Sequence, residues 1–155
     1  MCSSDLAEET PVEETAAEPT YTVSETLTRP VPGEVMTEFS DMPVYSETMR
    51  DYRVHAGTDY TAAHGETVHA CANGIVKETH TDMLRGNMIV IEHGDYEVRY
   101  CGLGETFLVH EGDVVTAGQD IGSVTAAPFE SALDSHLHIE VTRNGEPVDP
   151  ESVFG

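Results

Sequence analysis

The fold is most strongly constrained by short runs of alternating apolar and polar residues, which recur from about residue 29 onward. Glycine and polar turn residues separate these runs, and no stretch keeps a helical period over a useful length. The predicted strands are 67–70, 74–79, 87–93, 97–103, 113–115, 121–124 and 136–142. Strands joined at such short spacing pair antiparallel, so the pattern predicts an all-β domain built as an antiparallel sheet or sandwich. Segment 126–134 is predicted to be a loop or a short helical turn.

The chain of 155 residues is long enough for one domain of ordinary size and a tail. We predict a domain at residues 29–155 and an acidic, Glu/Thr/Pro-rich disordered tail or linker at residues 1–28. The tail contains seven carboxylates and no Lys or Arg. Its few large apolar side chains cannot offset the entropy that is lost on ordering. Such a segment either tethers the domain away from a membrane or is a plain disordered end.

The formal net charge of −22, from 29 acidic and 7 basic side chains, argues against nucleic acid as a partner. Phosphate binding needs clustered Lys and Arg, and Lys77 is the only lysine in the chain. The same charge argues against an anionic membrane surface and favours cations or basic peptides. No run is long enough to span a membrane, so we expect no direct membrane insertion of this chain.

The N-terminus lacks a basic region followed by an apolar stretch and therefore specifies no compartment by itself. Residues 1–6 are either foreign to the protein or, with Cys2 near the start, the segment next to the cleavage point of a lipoprotein. In both cases we expect an anchor upstream. The other two cysteines, Cys71 and Cys101, could form a disulfide or remain two buried free thiols.

Residues 135–141 alternate strictly, which places the polar side chains of His136, His138 and Glu140 on one face of a predicted strand. Side chains at i and i+2 share a face and stand about 7 Å apart. Two imidazoles there can both bind a metal, or one can bind while the other exchanges protons with a bound water. The alternative is a pair of surface histidines on an edge strand.

His55 and Asp59 form a second candidate, because the turn glycine between them, Gly57, can fold both side chains toward one point. Nitrogen and oxygen donors suit zinc. The alternative is an ordinary loop with a solvent-facing histidine and an aspartate bonded to its own backbone. Together, two histidines and one aspartate would make three protein ligands and leave the fourth zinc position open for chemistry.

The order His55-x-x-x-Asp59 followed by His136-Leu137-His138 resembles the lysostaphin/LytM-type zinc metallopeptidases, which cut peptide cross-links in peptidoglycan. Four further segments are similar to that family in order and spacing: 65–68, 72–76, 109–122 and 144–150. The resemblance covers residues 30–154, which is nearly all of the chain except the tail.

The resemblance implies an antiparallel LytM-like domain of the duplicated-hybrid-motif type, with a groove that holds the metal. It implies one zinc ion per chain on His55, Asp59 and His138. It implies that His136 is the catalytic residue, which aids proton transfer or stabilises the tetrahedral intermediate. It also implies a peptidoglycan peptide or glycan as ligand and an extracytoplasmic location in the bacterial cell envelope, reached through an N-terminal anchor or lipid.

One position departs from the family pattern. Members usually carry a second catalytic histidine in a Tyr-x-His-Leu segment, and this chain has Gly102 at the place of that histidine. Losing one such contact lowers the rate by on the order of a hundredfold or more. Loss of this histidine with the ligands kept is similar to sporulation-channel relatives from spore-forming Firmicutes, in which the domain mainly binds a protein partner. The remaining histidines are expected to be solvated or locally bonded: His64, His69, His80, His93 and His110. Of these, His80 or His110 could replace the imidazole.

Three hypotheses of function result. The first is a zinc metalloendopeptidase that hydrolyses peptide bonds in peptidoglycan stem peptides or cross-bridges. The second is a catalytically impaired, zinc-containing module that binds peptidoglycan or a protein in the cell envelope. The third comes from residues 111–119, which also resemble a hairpin of biotinyl and lipoyl carrier domains. Those domains need an exposed lysine in a tight turn, and Lys77 lies inside a predicted strand, so we interpret this likeness as shared hairpin architecture.

Overall fold

The computed structural model describes residues 20–154, which contain twelve strands, two short 3-10 turns and no α-helix. The strands are β1 Val35–Thr37, β2 Ser40–Ser46, β3 Asp51–His55, β4 Thr58–Thr61, β5 Thr67–His69, β6 Gly74–Asp82, β7 Gly86–His93, β8 Tyr96–Leu103, β9 Val114–Val115, β10 Asp120–Ser123, β11 His136–Arg143 and β12 Glu146–Val148. The 3-10 turns are Pro128–Glu130 and Pro150–Ser152. Across this part of the chain, no helix has the length and apolar character that crossing a membrane requires.

All seven predicted strands are present, and their ends differ from the prediction by at most three residues. The 3-10 turn Pro128–Glu130 confirms the short helical turn predicted within segment 126–134. The prediction omits β1 to β4 and β12. Strand β2 contains Pro43 and exposes most of its residues, so it lacks the buried alternation by which a strand is found. Lys77 lies within β6, as predicted, and the carrier-domain likeness therefore lacks its lysine.

An eight-stranded antiparallel sheet forms the body of the domain, in the order β9-β6-β7-β8-β11-β4-β1, with β12 paired to β11. Strands β5 and β10 form one two-stranded sheet, and strands β2 and β3 form another. Strand β11 is central, between β8 and β4. The alternative of surface histidines on an edge strand is therefore wrong, because both edges of β11 are paired. The all-β, antiparallel fold class is confirmed.

The core lies against the apolar face of this sheet. Leu137, Ile139 and Val141 alternate into it from β11 and are fully buried, as the alternation predicts. The opposite face of β11 is buried as well, because the loop that carries the turn Pro128–Glu130 covers it. Cys71 and Cys101 are buried free thiols, which decides between the two alternatives left by the sequence.

Residues 1–19, most of the predicted tail, lie outside the described residues. The part of the tail that is described contacts the domain. Tyr21 donates a hydrogen bond of 2.7 Å to Glu92, the side chain of Leu27 is buried, and Thr28 donates its backbone N–H to Cys71. The boundary between tail and domain at residues 28 and 29 stays a prediction.

Candidate metal centre

Strand register places Asp59 directly opposite His138 in the antiparallel pair of β4 and β11. Side chains of such partners stand next to each other on one face of the sheet. The Nδ1 atom of His138 lies 2.7 Å from Oδ1 of Asp59, and both side chains are buried. The pairing of strands β4 and β11 thus creates the contact between Asp59 and His138.

His55 reaches the same point because the chain turns tightly at Gly57 against β11. A Cβ atom at Gly57 would lie 2.2 Å from the carbonyl oxygen of Ile139, so only glycine permits this approach. The Nε2 atom of His55 lies 3.4 Å from Oδ2 of Asp59. Its Nδ1 donates to the Glu38 carbonyl at 2.8 Å, which leaves Nε2 directed inward. His55 and Asp59 are buried, so the alternative of a solvent-facing loop pair is wrong.

His136 lies beside these residues with one ring nitrogen directed at them. Its Nδ1 donates to the carbonyl of Asp134 at 2.7 Å, and its Nε2 is 3.8 Å from Oδ1 of Asp59. The side chain is 3% exposed, which leaves little room for bulk water around the ring. All four site residues predicted from the sequence are therefore brought together.

Glu130, at the end of the 3-10 turn Pro128–Glu130, is a site residue that the sequence does not reveal. Its Oε2 is 2.8 Å from Nε2 of His55, and its Oε1 is 3.0 Å from Nδ1 of His138. The ligand atoms of these residues and of Asp59 all lie within 4.8 Å of one another. The only sequence signal was the prediction of a loop beside the site at 126–134, which did not single out any side chain.

A second carboxylate, that of Glu140, bonds to the ring nitrogen of His138 that faces away from Asp59. The Nε2–H of His138 donates to Oε2 of Glu140 at 2.9 Å, and Arg85 donates its Nε–H to the same oxygen at 2.8 Å. Burial would raise the pKa of Glu140, but His138 and Arg85 lower it to about 2. The ionised carboxylate fixes the ring so that Nδ1 faces the centre. The alternation of β11 predicts the face of Glu140, whereas Arg85 lies between β6 and β7 and has no sequence signal.

The pKa values show that the centre favours positive charge. Burial lowers the pKa of His55, yet its contacts with Asp59 and Glu130 outweigh burial and raise the pKa to about 9. The pKa of His138 is also raised against burial, by hydrogen bonds to neighbouring carboxylates. Burial alone would raise the pKa of Glu130, but hydrogen bonds from three histidines hold it well below its usual range. Protons or a metal ion can supply this charge.

The fit to a metal ion rests on Oδ2 of Asp59. This oxygen is buried and accepts no hydrogen bond within residues 20–154, and its contact with Nε2 of His55 is long, at 3.4 Å. A buried carboxylate oxygen without a partner is costly, and a cation at the convergence point of His55, His138 and Asp59 would satisfy it. The donor set of imidazole nitrogen and carboxylate oxygen suits zinc.

Gly102 presents no side chain to the centre. Its φ is +76°, and a Cβ there would lie 2.7 Å from the backbone nitrogen of Ala127. A histidine at this position would require the neighbouring segment to move. The two candidate replacements have local partners: His80 is paired with Glu78 at 3.0 Å, and His110, whose side chain is 84% exposed, lies 3.8 Å from Asp113.

A cavity of about 140 Å³ adjoins the centre at His55 and Glu130. Its other wall is the hairpin of β2 and β3, which contributes Val44, Tyr45 and Val54. This hairpin carries several exposed apolar side chains, including Tyr52 at 73% exposure.

Comparison with known proteins gives the family. The model of peptidase family M23 matches residues 53–150. The peptidoglycan DD-endopeptidase ShyA of Vibrio cholerae is 35% identical over 96 residues, which are 61% of this chain and 22% of that protein. A zinc-containing peptidase from Vibrio cholerae has a TM-score of 0.67 at 27% identity and covers 83% of this chain and 39% of that chain. A chain of the SpoIIQ–SpoIIIAH pore-forming complex has a TM-score of 0.72 at 22% identity, and the match covers 84% of this chain and 91% of that chain. This likeness shows a shared fold.

The family match includes every residue of the centre, from His55 to Glu140. The match spans about a fifth of the length of ShyA. The resemblance to lysostaphin/LytM-type peptidases predicted from the sequence is confirmed, and the chain belongs to peptidase family M23.

Proposed function

We propose that this chain is a zinc-dependent peptidase domain that hydrolyses amide bonds in peptidoglycan stem peptides or cross-bridges. The observation that carries the proposal is the convergence of His55, Asp59 and His138, with Nε2 of His136 directed at the same point. Three ligands beside a proton-transfer group are typical of catalytic zinc sites. Membership of family M23 and the likeness to a peptidoglycan endopeptidase support the substrate class.

His55, Asp59 and His138 would hold one zinc ion per chain. When bound, zinc polarises a substrate carbonyl and lowers the pKa of a water molecule toward neutrality. Glu140 keeps His138 in the tautomer that offers Nδ1 to the metal, because it accepts the proton on Nε2. The burial of all these groups excludes competing water and strengthens their interactions.

His136 would move the proton. Its Nδ1–H is held by the Asp134 carbonyl at 2.7 Å, so Nε2 is the atom that accepts a proton from the attacking water and returns it to the leaving amine. The hydrogen bond also fixes the ring plane. This geometry supports the catalytic role that the family resemblance implies for His136.

The substrate would approach along the hairpin of β2 and β3. Its apolar side chains and the cavity of about 140 Å³ beside His55 offer contact area for an extended peptide or glycan. The net charge of −22 favours a ligand with basic groups. Arg53, on the cavity wall, is paired with Asp51 at 2.8 Å and adds little positive charge.

A direct test is digestion of purified muropeptides with the zinc-loaded chain, followed by mass spectrometry. We expect slow cleavage at one class of peptide bond, because Gly102 removes a contact whose loss lowers the rate by about a hundredfold. His136→Gln should retain one zinc per chain and lose cleavage. Zinc-loaded protein that leaves every muropeptide intact, under conditions in which an active peptidase digests them, would sink the peptidase proposal.

The second candidate is a zinc-containing binding module for peptidoglycan or an envelope protein, and Gly102 is the observation that favours it. With backbone from residues 126–127 packed against it, Gly102 leaves no room for the missing imidazole. Co-sedimentation with peptidoglycan sacculi distinguishes the two candidates. Binding that depends on the hairpin residue Tyr52 and occurs without cleavage would favour the module.

We further propose that the domain works outside the cytoplasm, in the bacterial cell envelope, tethered by an N-terminal anchor or lipid. The likeness to a peptidoglycan endopeptidase supports this location, because peptidoglycan lies there. Fractionation of native cells with an antibody against the domain tests it. Recovery in the soluble cytosolic fraction would contradict it.

A further inference from the structure

The carboxylate of Glu130 lies where the metal ligands and the proton-transfer residue face one another. Oε2 is 2.8 Å from Nε2 of His55, and Oε1 is 3.0 Å from Nδ1 of His138. The same Oε1 is 3.2 Å from Nε2 of His136. One side chain therefore touches both the atoms that would hold the metal and the atom that would accept the proton.

This position is the one that a reacting water needs. In a three-ligand zinc site the fourth position is open, and the proton acceptor lies within hydrogen-bond reach of it. Glu130 is 6% exposed and fills that space with carboxylate oxygen. Carboxylate oxygen is itself a common zinc ligand, and four protein ligands are typical of closed sites.

The backbone that carries Glu130 is held by two glycines. Gly102 accepts a hydrogen bond of 2.7 Å from the backbone N–H of Thr125. A Cβ at Gly102 would lie 2.7 Å from the nitrogen of Ala127, and a Cβ at Gly86 would lie 3.1 Å from Cδ of Pro128. These two glycines, on adjacent strands β7 and β8, form a shallow cradle for residues 125–128.

The cradle links the missing histidine to the placement of Glu130. Because Gly102 has no side chain, residues 126–127 pack where a larger residue would extend. The 3-10 turn then closes with the N–H of Glu130 bonded to the carbonyl of Ala127 at 2.9 Å, and its side chain enters the cluster. A side chain at position 102 would collide with the backbone of residues 126–127 in its present position.

We propose that Glu130 is a fourth protein ligand of the metal and that it closes the centre, so that residues 126–130 act as a gate which a substrate must displace. The inference rests on the proposed function, because it assigns a regulatory residue to the same metal site. A closed centre keeps the zinc bound and the hydrolytic position blocked until the turn moves.

Cobalt(II) in place of zinc tests the coordination directly, because its visible spectrum reports the ligands of the ion. Azide serves as the probe, since it binds a metal only where a position is open or occupied by exchangeable water. We expect azide to leave the spectrum of the cobalt-loaded wild-type chain unchanged and to shift that of Glu130→Ala. We also expect Glu130→Ala to bind zinc about tenfold more weakly or worse, by competition with a chelating dye.

Gly102→Ala tests the cradle without touching a ligand. The added methyl group collides with residues 126–127, so Glu130 should withdraw and azide should shift the cobalt spectrum as in Glu130→Ala. Gly112→Ala is the matched control, since Gly112 also has a positive φ, +89°, but its Cβ would meet no atom within 4 Å. It should carry the same backbone strain and keep the wild-type response to azide.

The inference is overturned if azide shifts the spectrum of the wild-type chain as readily as that of Glu130→Ala. It is also overturned if X-ray absorption shows the same number of protein ligands in both. Either result leaves metal bound by His55, Asp59 and His138, and therefore leaves the proposed function standing. Failure of the wild-type chain and of Glu130→Ala to bind any metal would instead overturn both.

Discussion

The buried His93 and the buried histidines of the candidate metal centre differ in their neighbours rather than in their burial. His93 is 2% exposed and has neutral partners, with Nδ1 at 3.1 Å from the Asn73 carbonyl and Nε2 at 2.8 Å from the Tyr100 hydroxyl. His138 is 1% exposed and faces carboxylates, which include Asp59 at 2.7 Å. The expectation of a solvated or locally bonded His93 is therefore wrong, because the ring is buried and bonds to Asn73, 20 residues away, and to Tyr100 on the neighbouring strand.

The pKa values of the two groups move in opposite directions. Burial lowers the pKa of His93 to about 4, against a smaller opposing effect of backbone contacts. Burial acts in the same sense on His55, but contacts with Asp59 and Glu130 raise its pKa to about 9. A neutral imidazole with two hydrogen bonds serves packing, whereas imidazoles among carboxylates form a site for a cation. Burial of a histidine alone does not identify a functional site.

Removing a ligand should have the largest effect. We expect His138→Ala and His55→Ala to weaken zinc binding by more than about a hundredfold, equivalent to about 3 kcal/mol, because each removes one donor and leaves a buried carboxylate unpaired. Zinc per chain after dialysis, and isothermal titration, measure the effect. His64→Ala, at an exposed turn, is the control and should bind one zinc ion. Equal zinc in all three variants would show that the ligands are wrongly assigned.

Removing the hydroxyl of Tyr100, which bonds to His93, should lower the stability of the fold and leave zinc binding unchanged. Tyr100 accepts a hydrogen bond of 2.9 Å from the Cys71 N–H and donates one of 2.8 Å to His93. Tyr100→Phe leaves both groups buried without a partner, and we expect it to lower the free energy of unfolding by about 2 to 3 kcal/mol in urea. Tyr45→Phe, on the exposed hairpin, should change it by less than about 0.5 kcal/mol. Loss of zinc in Tyr100→Phe would mean that the two groups are coupled.

Acid should destabilise the protein through His93. Its pKa is 6.5 in the unfolded chain and about 4 in the folded one, so the unfolded state binds the proton first. The stability it contributes is fully present above pH 6.5 and is lost as pH falls toward 4. We expect wild type to lose about 2 kcal/mol more than His93→Gln between about pH 7 and pH 5. Urea unfolding of both chains in a chelator measures this, and equal losses would contradict it.

The smallest effect should come from the carboxylate behind the metal ligand. Glu140→Gln keeps an acceptor for the Nε2–H of His138 but removes the negative charge that Arg85 supports. We expect zinc affinity to fall about tenfold, or about 1.4 kcal/mol, with one zinc still bound. Glu78→Gln, an exposed carboxylate on β6, is the control and should bind like wild type. An unchanged affinity in Glu140→Gln would remove Glu140 from the metal site.

Much of the sheet could be predicted because burial on one face leaves a two-residue period in the sequence. Strands β6, β7, β8 and β11 each carry it and have nearly the predicted ends. The hairpin of β2 and β3 does not, because its apolar side chains, such as Met42 and Tyr52, are exposed. A strand that only pairs with one neighbour and packs no face against the core has no alternation of apolar and polar residues by which it can be predicted.

The candidate centre was predictable where the ligand spacing is local. His136 and His138 are two residues apart on one strand, and His55 and Asp59 flank a turn glycine. The contacts of Arg85 and Glu130 were not predictable. Arg85 bonds to Glu140 across 55 residues, and Glu130, although only six residues before His136, reaches His55 across 75 residues. Their positions depend on how separate loops pack over β11.

By itself, the sequence determined the fold class, the family resemblance and four residues of the centre, because these depend on short-range patterns of polarity and spacing. Only the tertiary structure decided that β11 is central and that His93 is neutral and buried. It also decided that the carboxylate of Glu130 meets the imidazoles of His55 and His138. The contact of Glu130 with His55 joins residues 75 apart in the chain. It depends on strand order and on the close approach of residues 126–127 to Gly102, and the local sequence around Glu130 shows neither.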